Sequence, residues 1–110
     1  MSLSYEEFEK VEMRTGTIIR AEEFPEARKP AYKLTIDFGE LGIKKSSAQI
    51  TRRYRLEDLP GKQIVAVVNF PPKQIGKFMS ECLLLGAIDA AGDVILLEPG
   101  TPVNNGLRIA

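Results

Sequence analysis

From residue 32 to residue 38 the chain reads Tyr32-Lys33-Leu34-Thr35-Ile36-Asp37-Phe38, apolar and polar side chains in strict alternation. A period of two puts Tyr32, Leu34, Ile36 and Phe38 on one face of an extended segment and Lys33, Thr35 and Asp37 on the other. That is the pattern of an antiparallel strand with one buried and one wet face. Such a strand needs partners, and the chain supplies several short ones. From Met13 onward Thr15, Thr17, Ile18 and Ile19 are strand formers, and Gly16 inside the run predicts a bulge or sharp bend. A turn at residues 39–42 leads into a strand over 43–49. Residues 63–70, carrying Ile64-Val65-Ala66-Val67-Val68, read as a central strand that Pro71-Pro72 stops, because proline cannot donate to a ladder. Strands over 81–88 and 94–98 follow, joined by a turn at 90–93, and a turn within 102–106 precedes a short last strand at 107–109.

Two helical pieces interrupt this series. Ser4 with Glu7 three residues later is a capping box, which predicts a helix over 5–10 with Tyr5 and Phe8 on its apolar side. Residues 55–59 read as a single helical turn ended by Pro60-Gly61. Phe24-Pro25-Glu26-Ala27-Arg28-Lys29-Pro30 is a loop bracketed by prolines. Five or six short strands, a bulge signal and two small helical pieces in one 110-residue domain fit an all-β, partly open Greek-key barrel of the OB type better than a sandwich.

Charge is unevenly placed. Fifteen basic and fifteen acidic residues cancel overall, yet the net charge is −3 over residues 1–40, +6 over 41–80 and −3 over 81–110. Lys44, Lys45, Arg52, Arg53 and Arg55 are uninterrupted by any acid. Folded onto one face, they would steer an anionic partner; the alternative is an ordinary solvated surface neutralised by the acidic flanks.

The residue types present exclude much catalytic chemistry. With no histidine, neither a Ser-His nor a Cys-His pair can exist, and the commonest transition-metal ligand is missing. Lys45 beside Ser46 does not make a Ser-Lys pair, because strand neighbours point to opposite faces. No glycine motif cradles a phosphate. A non-enzymatic chain with neither cofactor nor metal is expected. Cys82, the sole cysteine, stands in Cys82-Leu83-Leu84-Leu85 and reads as a small buried hydrophobe. No basic, apolar leader opens the chain and no apolar run approaches ~18–20 residues, so a cytoplasmic location without membrane insertion is expected.

Glu12-Met13-Arg14-Thr15-Gly16-Thr17-Ile18, the proline-flanked loop before a Lys-Leu strand, and Val68-Asn69-Phe70-Pro71-Pro72 followed by basic residues and Ser80-Glu81 resemble the tRNA-binding domain family. Within it, Phe24-Pro25-Glu26-Ala27-Arg28, Ser46-Ser47-Ala48-Gln49-Ile50-Thr51 and Asn69-Phe70-Pro71-Pro72 are similar to one branch, the bacterial CsaA proteins. That resemblance implies an OB-fold homodimer that works without ATP as an export-related chaperone, with unfolded precursor proteins and the SecA translocase component as partners. Ala48-Gln49, the order Ile75-Gly76-Lys77 and Cys82-Leu83 depart from many tRNA-binding relatives, which places tRNA second.

Two binding modes are therefore expected on one surface. A peptide pocket would lie between residues 24–31, 46–53 and 70–78, with Phe70, Ile75, Phe78 and Met79 as apolar contacts and Gln49 and Asn69 reaching the peptide backbone. Nucleic acid would be held by Lys33, Lys44, Lys45, Arg52, Arg53, Lys73, Lys77 and Ser80, with Tyr32 or Phe78 stacking on an exposed base. The N-terminal helix and the segment 103–109 are the expected dimer interface.

Overall fold

The computed structural model describes all 110 residues. One short helix, α1 (Tyr5–Glu9), precedes nine strands: β1 (Met13–Glu23), β2 (Tyr32–Asp37), β3 (Ile43–Ala48), β4 (Gln63–Val67), β5 (Lys73–Ile75), β6 (Phe78–Ser80), β7 (Leu83–Leu84), β8 (Gly86–Ile88) and β9 (Val94–Leu96). The alternation at 32–38 produces β2 as expected: Tyr32, Leu34 and Ile36 are buried and their neighbours half-buried. β1 is the spine. Its first half pairs with β4, Met13 opposite Val67 through Thr17 opposite Gln63, and its second half with β2, Thr17 opposite Asp37 through Glu23 opposite Tyr32. The main sheet is antiparallel in the order β3-β2-β1-β4-β7, so β1 to β4 form a Greek key and the sheet curls into a nearly closed OB barrel. No helix is long and apolar enough to cross a membrane.

The core is made by the inner faces of these strands and one plug. Ile18, Leu34, Ile36, Phe38 and Ile64 are fully buried, and so is Leu59, delivered by the 3₁₀ turn Leu56–Asp58. Burial of each such aliphatic side chain contributes about 1.5–3 kcal/mol. Gly16 serves a different purpose from the expected bulge. The register of β1 slips between Ile18 and Arg20 instead, while a Cβ at Gly16 would lie 2.8 Å from Ile36 Cγ2 and from the Phe38 ring. The glycine admits the largest of the fully buried side chains.

Several elements differ from the sequence reading. The capping box of α1 is present, with the Ser4 hydroxyl accepting the Glu7 N–H and the Glu7 carboxylate accepting the Ser4 N–H, both at 3.1 Å. Yet α1 buries no residue, and Tyr5 is 87% exposed. The expected strand at 81–88 is two strands, because the chain turns at Leu85, whose N–H donates to Val65 and whose carbonyl accepts from Leu97. Residues 71–78 are not all loop: β5 and β6 form a hairpin closed by Gly76 at φ 61°. The last strand shrinks to one bridge, Arg14 opposite Arg108. The C-terminal segment is nevertheless tied down. Buried Thr15 donates its hydroxyl to the Asn104 carbonyl and accepts the Leu107 N–H, each at 2.9 Å, and Gln63 exchanges two hydrogen bonds with the Val103 backbone.

The barrel closes along a seam between β3 and residues 80–82. The free edge of β3 offers two N–H groups; Lys45 donates to the Glu81 carboxylate at 3.0 Å and Ser47 to the Ser80 hydroxyl at 3.2 Å. The Lys45 carbonyl accepts the Glu81 N–H at 2.7 Å, and the buried Ser46 hydroxyl donates to the Cys82 carbonyl at 2.8 Å. Cys82 is buried beside it, and loss of solvation pushes its thiol up to about 11.

Gly16→Ala should cost about 1–3 kcal/mol of stability in urea denaturation, through overpacking against Ile36 and Phe38. Ser46→Ala, which leaves the buried Cys82 carbonyl without its donor, should cost a similar ~1–3 kcal/mol. Native Cys82 should react with iodoacetamide at pH 8 roughly 100-fold more slowly than in the urea-unfolded chain, because both burial and the raised pKa suppress the thiolate.

Candidate binding groove

A cleft of about 370 Å³ opens where the β5–β6 hairpin, the end of β3, β7 and β9 meet. Its walls are set by strand parity. At the end of β3, Ser47 and Ala48 face opposite ways, and both reach the cleft together with Gln49 and Ile50, the two residues that follow the strand. Lys73, Ile75 and Ser80 enter from the hairpin, Leu83 and Leu84 from β7, and Val94 from β9. At one end the cleft continues into a ~300 Å³ recess bounded by Phe70, sharing Lys73 and Leu83 as walls. At the other it meets a ~220 Å³ recess bounded by Lys29, Arg52, Arg53 and Asp93, sharing Gln49, Ile50 and Val94. The result is one trough, apolar through its centre and its Phe70 end and polar at its Arg52–Arg53 end. Leu83 (49% exposed) and Phe70 (54%) are open to a ligand rather than consumed by the core.

The expected site residues are only partly brought together. Phe70, Ile75, Gln49, Lys73, Arg52, Arg53 and Ser80 border the trough. Ser80 also caps the edge of β3, so its hydroxyl belongs to the seam as well. Asn69 lies outside: its amide donates to the Lys10 carbonyl at 2.7 Å and its oxygen accepts the Glu12 N–H at 3.0 Å, fastening α1 to β1. Met79 pairs with Gln74 on the opposite side of the hairpin from Ile75 and Ser80 and is exposed there. Phe78 shares Ile75's side but packs at the hairpin tip on buried Phe24, ring centroids 5.2 Å apart and tilted by 59°. Lys33 Nζ stands 5.4 Å and 6.0 Å from these two rings, a cation–π cluster that joins the 24–30 loop to the hairpin. Tyr32 cannot stack on a base as expected. It is buried with its hydroxyl donating to the Tyr54 carbonyl at 2.8 Å, and loss of solvation raises its pKa.

The cations do not share one face either. Lys45 lies with Lys33 on the outer face of the β2–β3 pair, Lys44 on the opposite face of β3, and Lys77 in the exposed turn of the hairpin. Lys33, Lys44, Lys45, Lys73 and Lys77 have no carboxylate within ion-pair distance, whereas Arg52 pairs with Asp93 at 3.2 Å and Arg53 with Asp89 at 2.9 Å. Asp89 is held below the usual carboxylate range, first by the Asp93 N–H it accepts and then by Arg53. This pairing is complete above the ordinary carboxylate pKa and is lost as pH falls through the lowered one.

Leu83, Leu84, Val94, Asp89 and Asp93 were not foreseen as site residues. The leucines are hidden in what reads as one continuous strand until the bend at Leu85 turns β7 toward the cleft. The aspartates had a local signal, since Asp89-Ala90-Ala91-Gly92-Asp93 has the composition of a turn whose first aspartate binds its own backbone. Which arginines they would face is a tertiary matter.

Residues 13–108 match the family model described as a putative tRNA binding domain. Among curated proteins the chain is similar to the methionine-tRNA ligases of Porphyromonas gingivalis (33% identity) and Methanococcoides burtonii (32%), in both cases over 97% of this chain. It spans only 15% and 16% of the length of those ligases. Among solved structures, the chaperone CsaA of Bacillus anthracis is 56% identical with a TM-score of 0.95, each chain covered fully. The CsaA chaperone of Picrophilus torridus is 51% identical with a TM-score of 0.92, over 99% of this chain and 100% of the other. A protein of Pyrococcus horikoshii related to methionyl-tRNA synthetase is 31% identical with a TM-score of 0.87, again over the full length of both. A family model spanning all nine strands and half-identical relatives of the same length converge on one conclusion: the chain belongs to the tRNA-binding domain family.

Proposed function

We propose that this protein is an ATP-independent chaperone of the CsaA type, which holds extended apolar segments of unfolded precursor proteins in the trough between β3, the β5–β6 hairpin, β7 and β9. The observation that carries the reading is the trough's apolar centre. Ile75, Leu83, Leu84 and Val94 line it, with Gln49 and Ser47 available to a peptide backbone at its rim. Holding by burial needs no nucleotide, because the free energy of binding comes from apolar surface removed from water and the segment leaves by spontaneous dissociation. The identity of 56% over the full length of a chaperone supports the same reading. Export-related work in the cytosol, with SecA as a partner, belongs to this proposal.

A homodimer completes it. Leu3, Tyr5, Val11 and Leu107 are exposed on or near α1 and the C-terminal segment, and α1 has no buried residue of its own. A second copy covering these side chains would explain why a capped helix stands away from the barrel. Light scattering should give twice the 12.2 kDa chain mass; the monomer mass would exclude a stable dimer.

The unpaired lysines and the family itself favour a second reading, tRNA binding. Salt separates the two. A mode that neutralises several phosphates should weaken by roughly 10³-fold or more between ~50 and ~200 mM salt, while apolar capture should change little.

At stoichiometric ratio and without nucleotide, the protein should suppress aggregation of a denatured model substrate. Leu83→Asp, at a half-exposed position where the fold tolerates a charge, should abolish suppression while leaving the melting temperature within a few degrees. Absence of suppression by the unaltered protein at several-fold excess would overturn the proposal.

A further inference from the structure

At the end of the trough beyond Gln49 two consecutive arginines, Arg52 and Arg53, line a recess, and there both are already engaged. Arg52 Nε lies 3.2 Å from Asp93 Oδ1, and Arg53 Nη2 lies 2.9 Å from Asp89 Oδ2. The two sides of these pairs are unequal. Asp89 is fixed by its own turn, because Oδ1 accepts the Ala91 and Asp93 N–H groups, both at 2.9 Å, which leaves Oδ2 aimed at the guanidinium. Asp89 and Asp93 are 25% and 17% exposed, whereas Arg53 and Arg52 are 48% and 73% exposed. More buried acids hold more exposed bases at the mouth of a cleft.

The pairs are not what anchors the β8–β9 hairpin. Leu97 N–H donates to the Leu85 carbonyl at 3.1 Å, Leu96 N–H to the Tyr54 hydroxyl at 2.9 Å, and buried Leu96 joins the core. With the hairpin held elsewhere, the carboxylates are free to act on what approaches Arg52 and Arg53. A phosphate seeking either guanidinium meets a carboxylate already there, and must displace it or bear the repulsion of a like charge within a few ångströms. A neutral apolar peptide segment meets no such penalty, since the paired arginines still offer spare N–H donors to its carbonyls.

We infer that Asp89 and Asp93 are specificity-determining residues, which neutralise Arg52 and Arg53 and so turn the trough away from polyanionic ligands such as tRNA and toward unfolded polypeptide. The inference rests on the trough being the binding site, as proposed above. The spacing of the residues suits this masking, because two consecutive arginines meet the first and last positions of one five-residue turn, Asp89 to Asp93.

The test titrates one tRNA transcript, at several salt concentrations from ~50 to ~200 mM, against four full-length proteins: the unaltered chain, Asp89→Asn/Asp93→Asn, Arg52→Gln/Arg53→Gln, and all four changes together. In Asp89→Asn the amide oxygen keeps the Oδ1 acceptor of the turn, and at both positions the charge is lost and one oxygen becomes an NH2 group, which donates and so cannot hold a guanidinium. Freeing two arginines should steepen the slope of log affinity against log salt by about 1.4–1.8, at ~0.7–0.9 per phosphate neutralised, which is about a tenfold gain in affinity at the low-salt end relative to the high. Removing the arginines should leave the slope of the unaltered chain within ~0.3 of its value, well under one phosphate's share, yet erase the gain in the asparagine background. An unchanged slope in Asp89→Asn/Asp93→Asn, or an equal loss on removing the arginines from either background, would overturn the inference. Should the double asparagine variant melt early, Asp93→Asn alone carries the same test with about half the slope change. Aggregation suppression by the same four proteins keeps the two proposals apart. If the unaltered chain fails to suppress aggregation, the chaperone reading falls, while the slopes still report whether the aspartates mask the arginines.

Discussion

Where β3 leaves the sheet, its exposed edge meets residues 80–82, and the barrel stands on that meeting. Backbone pairing supplies only one bond there, from Glu81 N–H to the Lys45 carbonyl; side chains complete the rest, with Glu81 and Ser80 filling the places a partner strand would occupy and Ser46 reaching across from β3 to the Cys82 carbonyl. A sheet edge left open is a template for unwanted pairing, and a barrel that closes by side chains removes it without needing another long strand. The same seam places the β5–β6 hairpin over β3 and brings β7 alongside, so it creates the trough in the act of closing the fold. Fold and site depend on one set of contacts.

That shared dependence changes the meaning of the residues that mark the family. Glu12, Arg14, Gly16 and Ile18 look like a recognition motif in the sequence, but each has a structural role. Arg14 bridges Glu12 at 3.0 Å and donates to the Gly106 carbonyl, bracing the C-terminal segment; Gly16 makes room for Phe38; Ile18 is core. Asn69 fastens the α1–β1 connection and Ser80 the seam. The motif identifies the family because the barrel requires it. The trough is lined instead by less regular residues such as Leu83, Val94 and an aspartate of the β8–β9 turn.

The cationic surface shows why charge counting and charge placement differ. A middle third with a net charge of +6 suggests a single basic face. Strand parity separates Lys44 from Lys45, a hairpin carries Lys77 to its tip, and an acidic turn from the last third of the chain neutralises Arg52 and Arg53. Of the two readings of those basics held open at the start, solvated and neutralised surface describes Arg52, Arg53 and Arg55, which have carboxylate partners. Free charge describes Lys44, Lys45, Lys73 and Lys77, whereas Lys62 pairs with Glu98 at 3.2 Å.

Periodicity and turn chemistry are local, so the sequence by itself determined what they govern: the strand at 32–38, the capped helix, the helical turn near Leu59, and with them an all-β barrel of the OB type. It also determined that no histidine-based chemistry could occur. The strand expected over 63–70 ends instead at Val67, ahead of the prolines, where the Val68 N–H turns to the Glu12 carbonyl. Tertiary structure alone decided the rest. The bend at Leu85, the placing of the 73–80 hairpin over β3 and the closing of β3 onto residues 80–82 arise from contacts between segments distant in the chain, 36 residues apart at the seam, which leave no period in the sequence. Because the trough is the space those long-range contacts enclose, its walls could not be read from the chain one segment at a time.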